Sequence, residues 1–235
     1  MNEKYVEYEN IELAANIFKK ADIKPIIFRR LRRFRAILAG GSLLSELFHI
    51  GEVNDYDFYF RDKYAYNETV MMNGGIHRPY TTLHTNTYKY SASKPLQCVN
   101  MIFGSPEEIL DSFDMTVCQL AYDVYNNKFI FNVKGLEDIE NKIIRFNNFK
   151  NPLGNMTRAV KYINKGLKLP VSELTKIKIF MSNMSEDEIY HNGGYNSFTY
   201  KQYEDEILKL FGRFNFNKPL HEHLMKRLAE KCIEL

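Results

Sequence analysis

Tryptophan is absent from this 235-residue chain, and cysteine occurs only at Cys98, Cys118 and Cys232. Three cysteines without paired spacing exclude a disulfide-stapled scaffold and a Cys-x-x-Cys zinc site. The odd count points to reduced thiols. The charged stretch Met1 to Tyr8 has no apolar signal core, so a cytoplasmic location is expected. No apolar run is long enough to span a bilayer, which leaves a membrane off the list of partners. Internal repeats and low-complexity segments are also missing. An excess of one charge is lacking: 32 Lys and Arg against 29 Asp and Glu leave a net charge of +3, which does not by itself mark a nucleic-acid binder.

What is present is apolar and aromatic. Hydrophobic residues make up 45% of the chain, with 16 Tyr and 17 Phe. That is enough for a sizeable core, in one domain or in a head with a small helical appendage. The basic residues are unevenly placed. Lys24, Arg29, Arg30, Arg32, Arg33 and Arg35 crowd into one segment that opens at Pro25 and reads as a helix through Phe34. They form either a solvated helix face or a phosphate-contacting patch beside an active site, with Arg29, Arg32 and Arg33 as candidate nucleic-acid contacts.

The most informative stretch follows. Ala36 to Ala39 is a short apolar run of buried-strand length, broken by Gly40 and Gly41. Leu43, Leu44, Leu47 and Phe48 then recur at helical spacing, with Ser42 placed to cap the helix. Asp55 to Phe60 alternates with period two, so Asp55, Asp57 and Tyr59 share one strand face. Two carboxylates on one face repel unless a cation lies between them. Hard oxygen donors suit Mg²⁺, which takes further ligands from water and substrate phosphates. A Gly-Gly-Ser turn into a helix N-terminus offers free N–H groups to an anion. The unit as a whole describes a nucleoside triphosphate and its metal.

Apolar strand, Gly-Gly-Ser, twelve residues, then Asp-x-Asp in an aromatic strand resembles the signature of the nucleotidyltransferase superfamily. That superfamily includes DNA polymerase beta, poly(A) polymerases and CCA-adding enzymes. Asp114, Thr116, Leu120, Ala121 and Tyr122 match the second head motif of the last two, although Ser112 and Phe113 stand where the family has paired arginines. Gly135 to Arg145 resembles the segment that closes the head. Met156 to Tyr162 resembles a Met-Leu-Arg-Ala-Ile-Arg-Phe helix, on which Arg158 and Lys161 face the same way.

The resemblance implies an α+β head with a mixed sheet flanked by helices over residues 1–146, and a helical neck and C-terminal region over 147–235. It implies a triphosphate on Gly40, Gly41 and Ser42, metal ions on Asp55 and Asp57, and contacts from Arg158 and Lys161 to triphosphate or an RNA end. Many relatives carry a third carboxylate on a later strand; the strand read at Leu96 to Phe103 has no acid. Asp114 is the candidate for that role, for a nucleotide-sugar contact, or for a helix cap. Asn151-Pro152-Leu153-Gly154-Asn155 lacks the Asp and Arg that select CTP and ATP in CCA-adding enzymes, so templated CCA addition is not expected.

The implied activity is Mg²⁺-dependent transfer of an NMP from an NTP to a hydroxyl, on an RNA 3′ end such as that of tRNA or on a protein, releasing pyrophosphate. The alternative is a binding module of the same fold with reduced catalysis, for nucleotide, RNA or a protein partner. Further strands are expected at Thr85 to Tyr90 and Phe129 to Val133, and helices at Ile11 to Lys20 and Pro106 to Asp111. His191 to Gly194 reads as a loop. His221 and His223, two apart on a surface helix, do not converge on a metal.

Overall fold

The computed structural model describes residues 4–74, 80–81, 85–88, 94–183, 207 and 209. The His191 loop, the His221–His223 helix, Cys232, and residues 89 and 90 of the strand read at Thr85 lie outside them. In chain order the elements are β1 (Tyr5–Glu9), α1 (Ile11–Lys20), α2 (Pro25–Arg33), β2 (Ile37–Ala39), α3 (Gly41–Phe48) and β3 (Tyr56–Phe60). There follow α4 (Lys63–Gly74), β4 (Tyr80–Thr81), β5 (Thr85–Tyr88), β6 (Leu96–Phe103) and α5 (Pro106–Ser112). A 3-10 turn at Thr116–Cys118 leads into β7 (Leu120–Asp123), β8 (Lys128–Asn132), α6 (Val133–Glu140), α7 (Pro152–Ile163) and α8 (Val171–Ser182). No helix among the described residues is long and apolar enough to cross a membrane.

The strands form one eight-stranded sheet in the order β1-β8-β7-β2-β3-β6-β5-β4. Only β3 and β6 run parallel among the described pairings, so the sheet is mixed. The α+β class is therefore as expected, with helices on the sheet and further helices after it. The chain divides into two compact units, Met1–Asn148 and Phe149–Leu235. All eight strands belong to the first. In the second, Met156, Ala159, Val160 and Tyr162 of α7 and Leu174 and Ile177 of α8 are buried.

Residues paired across neighbouring strands share a sheet face. Leu38 pairs with Phe58 and with Tyr122, and Tyr122 with Phe129. The helices before and after β2 cover this face. Phe18 of α1 meets the Tyr122 ring at 5.6 Å, Phe28 of α2 meets Phe18 at 4.9 Å, and Tyr66 of α4 meets Phe60 at 5.7 Å. The opposite face carries Ile37, Ala39, Ala121 and Ile130, and Ile109 and Leu110 of α5 pack on it. Burying two such aliphatic side chains contributes about 3–6 kcal/mol. Ser105 opens α5 with a capping box: its hydroxyl accepts from Glu108 N, and the Glu108 carboxylate accepts from Ser105 N.

The sheet's outer edge is tied to α5. Lys4 and Tyr5 both donate to the Asp111 carboxylate. Burial alone would push that carboxyl up, but the two donors and the Lys4 charge together hold it below the ordinary aspartate value. The folded form therefore favours ionised Asp111, and this tie is present at neutral pH and is lost as pH falls through that lowered value.

The 3-10 turn is fixed from behind by α6. Thr116 Oγ1 donates to Asp138 at 2.6 Å, and Arg145 donates to both Asp138 oxygens at 3.0–3.1 Å. Gly135 makes that approach possible: a Cβ built there would lie 2.4 Å from the Thr116 carbonyl oxygen. Gly135→Ala must push α6 off the turn, and we expect a loss of about 2–3 kcal/mol in denaturant unfolding. A midpoint equal to wild type would show that the turn yields instead.

Candidate functional site

The β2–α3–β3 unit brings its expected residues together. Gly40 has φ +91° and ψ −144°, a backbone conformation open to glycine and closed to residues with a Cβ. Its N–H donates to the Leu120 carbonyl, and its own carbonyl accepts the first helical bond from Leu43 N at 3.1 Å. The helix therefore starts at Gly41, and Ser42 lies inside its first turn. Ser42 does not cap α3, as spacing suggested; Gly40 occupies the cap position without a side chain to bond. Ser42 is 5% exposed, and its Oγ has no hydrogen-bond partner.

Leu43 and Leu44 are fully buried and hold α3 on the sheet. Glu46 locks it further, accepting from the Tyr56 hydroxyl of β3 at 2.9 Å and from Lys20 of α1 at 2.8 Å. Burial, and then the Glu46 carboxylate, keep the Tyr56 phenol protonated far above its ordinary range. The helix ends at His49 in the left-handed conformation.

Ala39 pairs directly with Asp57, which places the end of β2, and so the Gly40 turn, beside the carboxylates. Asp57 and Tyr59 are half-buried on the face that α5 covers, while Tyr56, Phe58 and Phe60 are buried on the other. Asp55 precedes the strand and is also half-buried. On the far side Asp57 is in register with Gln97 of β6, and Gln97 Nε2 donates to Asp55 Oδ2 at 3.1 Å. Gln97 was not singled out in the sequence; the alternation of β6 marks it as face-sharing only once its pairing with β3 is known.

Phe113 stands where the resemblance has an arginine. Its ring meets Tyr59 at 5.5 Å, and a Cβ on Gly40 would lie 3.4 Å from it. The segment carrying it is clamped. Asn147 Nδ2 donates to the carbonyls of Asp111 and Phe113, and Asn148 Nδ2 to those of Ser112 and Phe113. Asp114 lies in the bend after Phe113, and its carbonyl accepts from Asn147 N at 2.7 Å. It is not the cap of the 3-10 turn, which is Met115.

Among the described residues no group of three His, Cys, Asp or Glu is placed to hold a metal. Asp114 thus does not complete a three-acid set with Asp55 and Asp57. The clamp fixes its backbone to Asn147 instead. Two carboxylates with water and phosphate oxygens still suit one Mg²⁺, which is often held in that way. The buried, unpartnered Ser42 hydroxyl at the neighbouring turn is a further hard donor.

The basic segment is elsewhere. Arg29, Arg32 and Arg33 are exposed on α2, which packs on the face away from Asp57, and its C-terminal end leads into the start of β2, not the Gly40 end. A position beside the carboxylates is therefore corrected: which face a helix takes is set by Phe28 against Phe18, long-range packing that clustering of charge does not reveal. Arg158 and Lys161 lie on α7, in the second unit. The stretch that would select the base is a helix cap here: the Asn151 side chain accepts from Gly154 N at 2.8 Å.

The fold is similar to that of solved nucleotidyltransferases at low sequence identity. A Thermotoga maritima CCA-adding enzyme complexed with tRNA is similar at TM-score 0.58 and 12% identity, covering 91% of this chain and 58% of that one. A CCA-adding enzyme complexed with CTP gives 0.57 and 12%, covering 97% and 60%. A tRNA-processing enzyme in its apo form gives 0.55 and 19%, covering 94% and 66%. The sequence model of the Gabija anti-defense 2 family matches residues 6–142, more than half of the chain, and the chain belongs to that family. "Gabija anti-defense 2" of Bacillus phage SPbetaL7 is 29% identical over 195 residues, 80% of this chain. The chain spans 44% of the length of that relative.

Proposed function

We propose that this protein is a nucleotidyltransferase-fold binding module with reduced transfer chemistry, serving to counteract Gabija defence. In this reading residues 1–146 form a head that takes an NTP with one Mg²⁺. Gly40, Gly41 and Ser42 receive the phosphates, Asp55 and Asp57 hold the cation, and Asp114 contacts the sugar. Residues 147–235 form a helical neck that carries Arg158 and Lys161, the candidate contacts to an RNA end. Arg29, Arg32 and Arg33 supply a separate contact to an RNA backbone, recognisable by its salt dependence. The bound cation would supply charge neutralisation to the phosphates.

One observation carries the reading: the carboxylate pair faces a neutral amide, Gln97, where a third acid would otherwise strengthen the metal site. The family to which the chain belongs supports an interfering role over a processing one. The protein is to be incubated with each α-labelled NTP, Mg²⁺ and total RNA. Binding that requires Mg²⁺, without label transfer, is the expected result. Label joined to an RNA 3′ end or to protein favours the active nucleotidyltransferase, for which the retained Asp55–Asp57 pair speaks. No Mg²⁺-dependent binding overturns both.

A further inference from the structure

The side chains around Asp57 offer few protein ligands to a cation. Asp57 lies on β3 and Asp55 just before it, and β6 answers the two acids with an uncharged group at the position in register with Asp57. That group is engaged: Gln97 Nε2 donates to Asp55 Oδ2 at 3.1 Å. A donated hydrogen bond occupies an oxygen lone pair that could otherwise point at a cation. It also fixes the carboxylate's orientation, as outer partners of metal ligands do. One divalent cation neutralises the two acids. A second would have to be held by the nucleotide's own phosphate oxygens, because no third His, Cys, Asp or Glu joins the pair among the described residues.

We infer that Gln97 is a positioning residue that orients Asp55 and restricts this site to a single divalent cation. The inference rests on the nucleotide-binding reading and deepens it. A site with one cation binds a triphosphate well but lacks the paired clamp, two ions about 3.5–4 Å apart, that steadies both attacking and leaving oxygens. Gln97 thereby separates binding from transfer. Replacing the amide by a carboxylate of the same length supplies the missing charge at the same place on β6.

The test counts cations with Mn²⁺ as probe, in the presence of α,β-methylene-ATP. Free Mn²⁺ is read by electron paramagnetic resonance. The wild type is expected to hold one Mn²⁺ per chain–nucleotide complex. Q97E is expected to hold two, with a spin-coupled spectrum, and to gain more in melting temperature from Mn²⁺ than the wild type does. Q97A is expected to keep one Mn²⁺ with affinity about tenfold weaker, because Asp55 has lost its orienting donor.

Two Mn²⁺ in the wild type overturn the inference and leave nucleotide binding intact. So does one Mn²⁺ of unchanged affinity in both variants. Should Q97E fail to fold even with Mn²⁺, the Q97A affinity decides: a value equal to wild type overturns the positioning role. No Mn²⁺–nucleotide bound by any of the three proteins removes the nucleotide-binding reading itself, a result distinct from either.

Discussion

Asp138→Ala is expected to lower the melting temperature of the strand-bearing unit by roughly 6–12 °C. Asp138 is 1% exposed and accepts from Thr116 Oγ1 and from two nitrogens of Arg145. Breaking a buried pair by removing one partner costs about 3–5 kcal/mol. The Arg145 side chain is 32% exposed, so water relieves part of its charge and about 3 kcal/mol is the better figure. Each kcal/mol shifts a chain of this size by roughly 2–4 °C. Asp138→Asn keeps the shape and an acceptor for Thr116 and should lose about half as much. A shift below 2 °C for the alanine variant would show that the network carries little of the fold.

The same substitution should reach the candidate site. Arg145 and Asn147 hold the turn through backbone bonds, Thr116 N to Arg145 O and Asn147 N to Asp114 O. Asn147 and Asn148 in turn clamp the segment that sets Phe113 over Gly40. Loosening Arg145 frees the near end of that chain of contacts. Nucleotide affinity should fall along with the melting temperature, though none of these residues lies on the Gly40 turn or the carboxylate strand.

Much of the sheet was legible because local chemistry dictates it. The Ala36–Ala39 run, the alternation of Asp55–Phe60 and the eight residues of β6 each read as strand, and each is one, within a residue at an end. β1 was missed. Two of the five residues of Tyr5–Glu9 are charged and three are exposed, and pairing with β8 is what makes it a strand. The run from Val117 to Tyr122 gave no sign of where a turn yields to β7, since burial is continuous through both. Spacing points to Ser42 as the cap; the φ of Gly40, which starts the helix earlier, is not written in spacing. The carboxylate pair and the glycine turn were visible together. The contacts of Gln97, Phe113 and the Asn147–Asn148 clamp were not, because each acts across a gap of tens of residues that only the register of β3 on β6 and the fold of the closing segment bridge.

Asp57→Asn should abolish Mg²⁺-dependent nucleotide binding while the fold holds. The strand is anchored by Tyr56, Phe58 and Phe60 on its buried face, which the substitution leaves alone. Asn is nearly isosteric with Asp, but it brings no charge to a divalent cation, and a site with only two acids has no spare one. Affinity for Mn²⁺ with α,β-methylene-ATP should fall at least ~100-fold, about 2.7 kcal/mol. In chelator the variant and the wild type should bind equally weakly, since Asp57 acts on the nucleotide through the cation. Asp55→Asn should be as severe in Mn²⁺. Ser42→Ala should be milder, because the backbone donors of the turn remain. Asp114→Asn should change affinity less than either, since Asp114 stands outside any three-acid set. If Asp57→Asn binds Mn²⁺–nucleotide as the wild type does, the cation does not lie on this strand, and the assignment of the site to Asp55 and Asp57 is wrong.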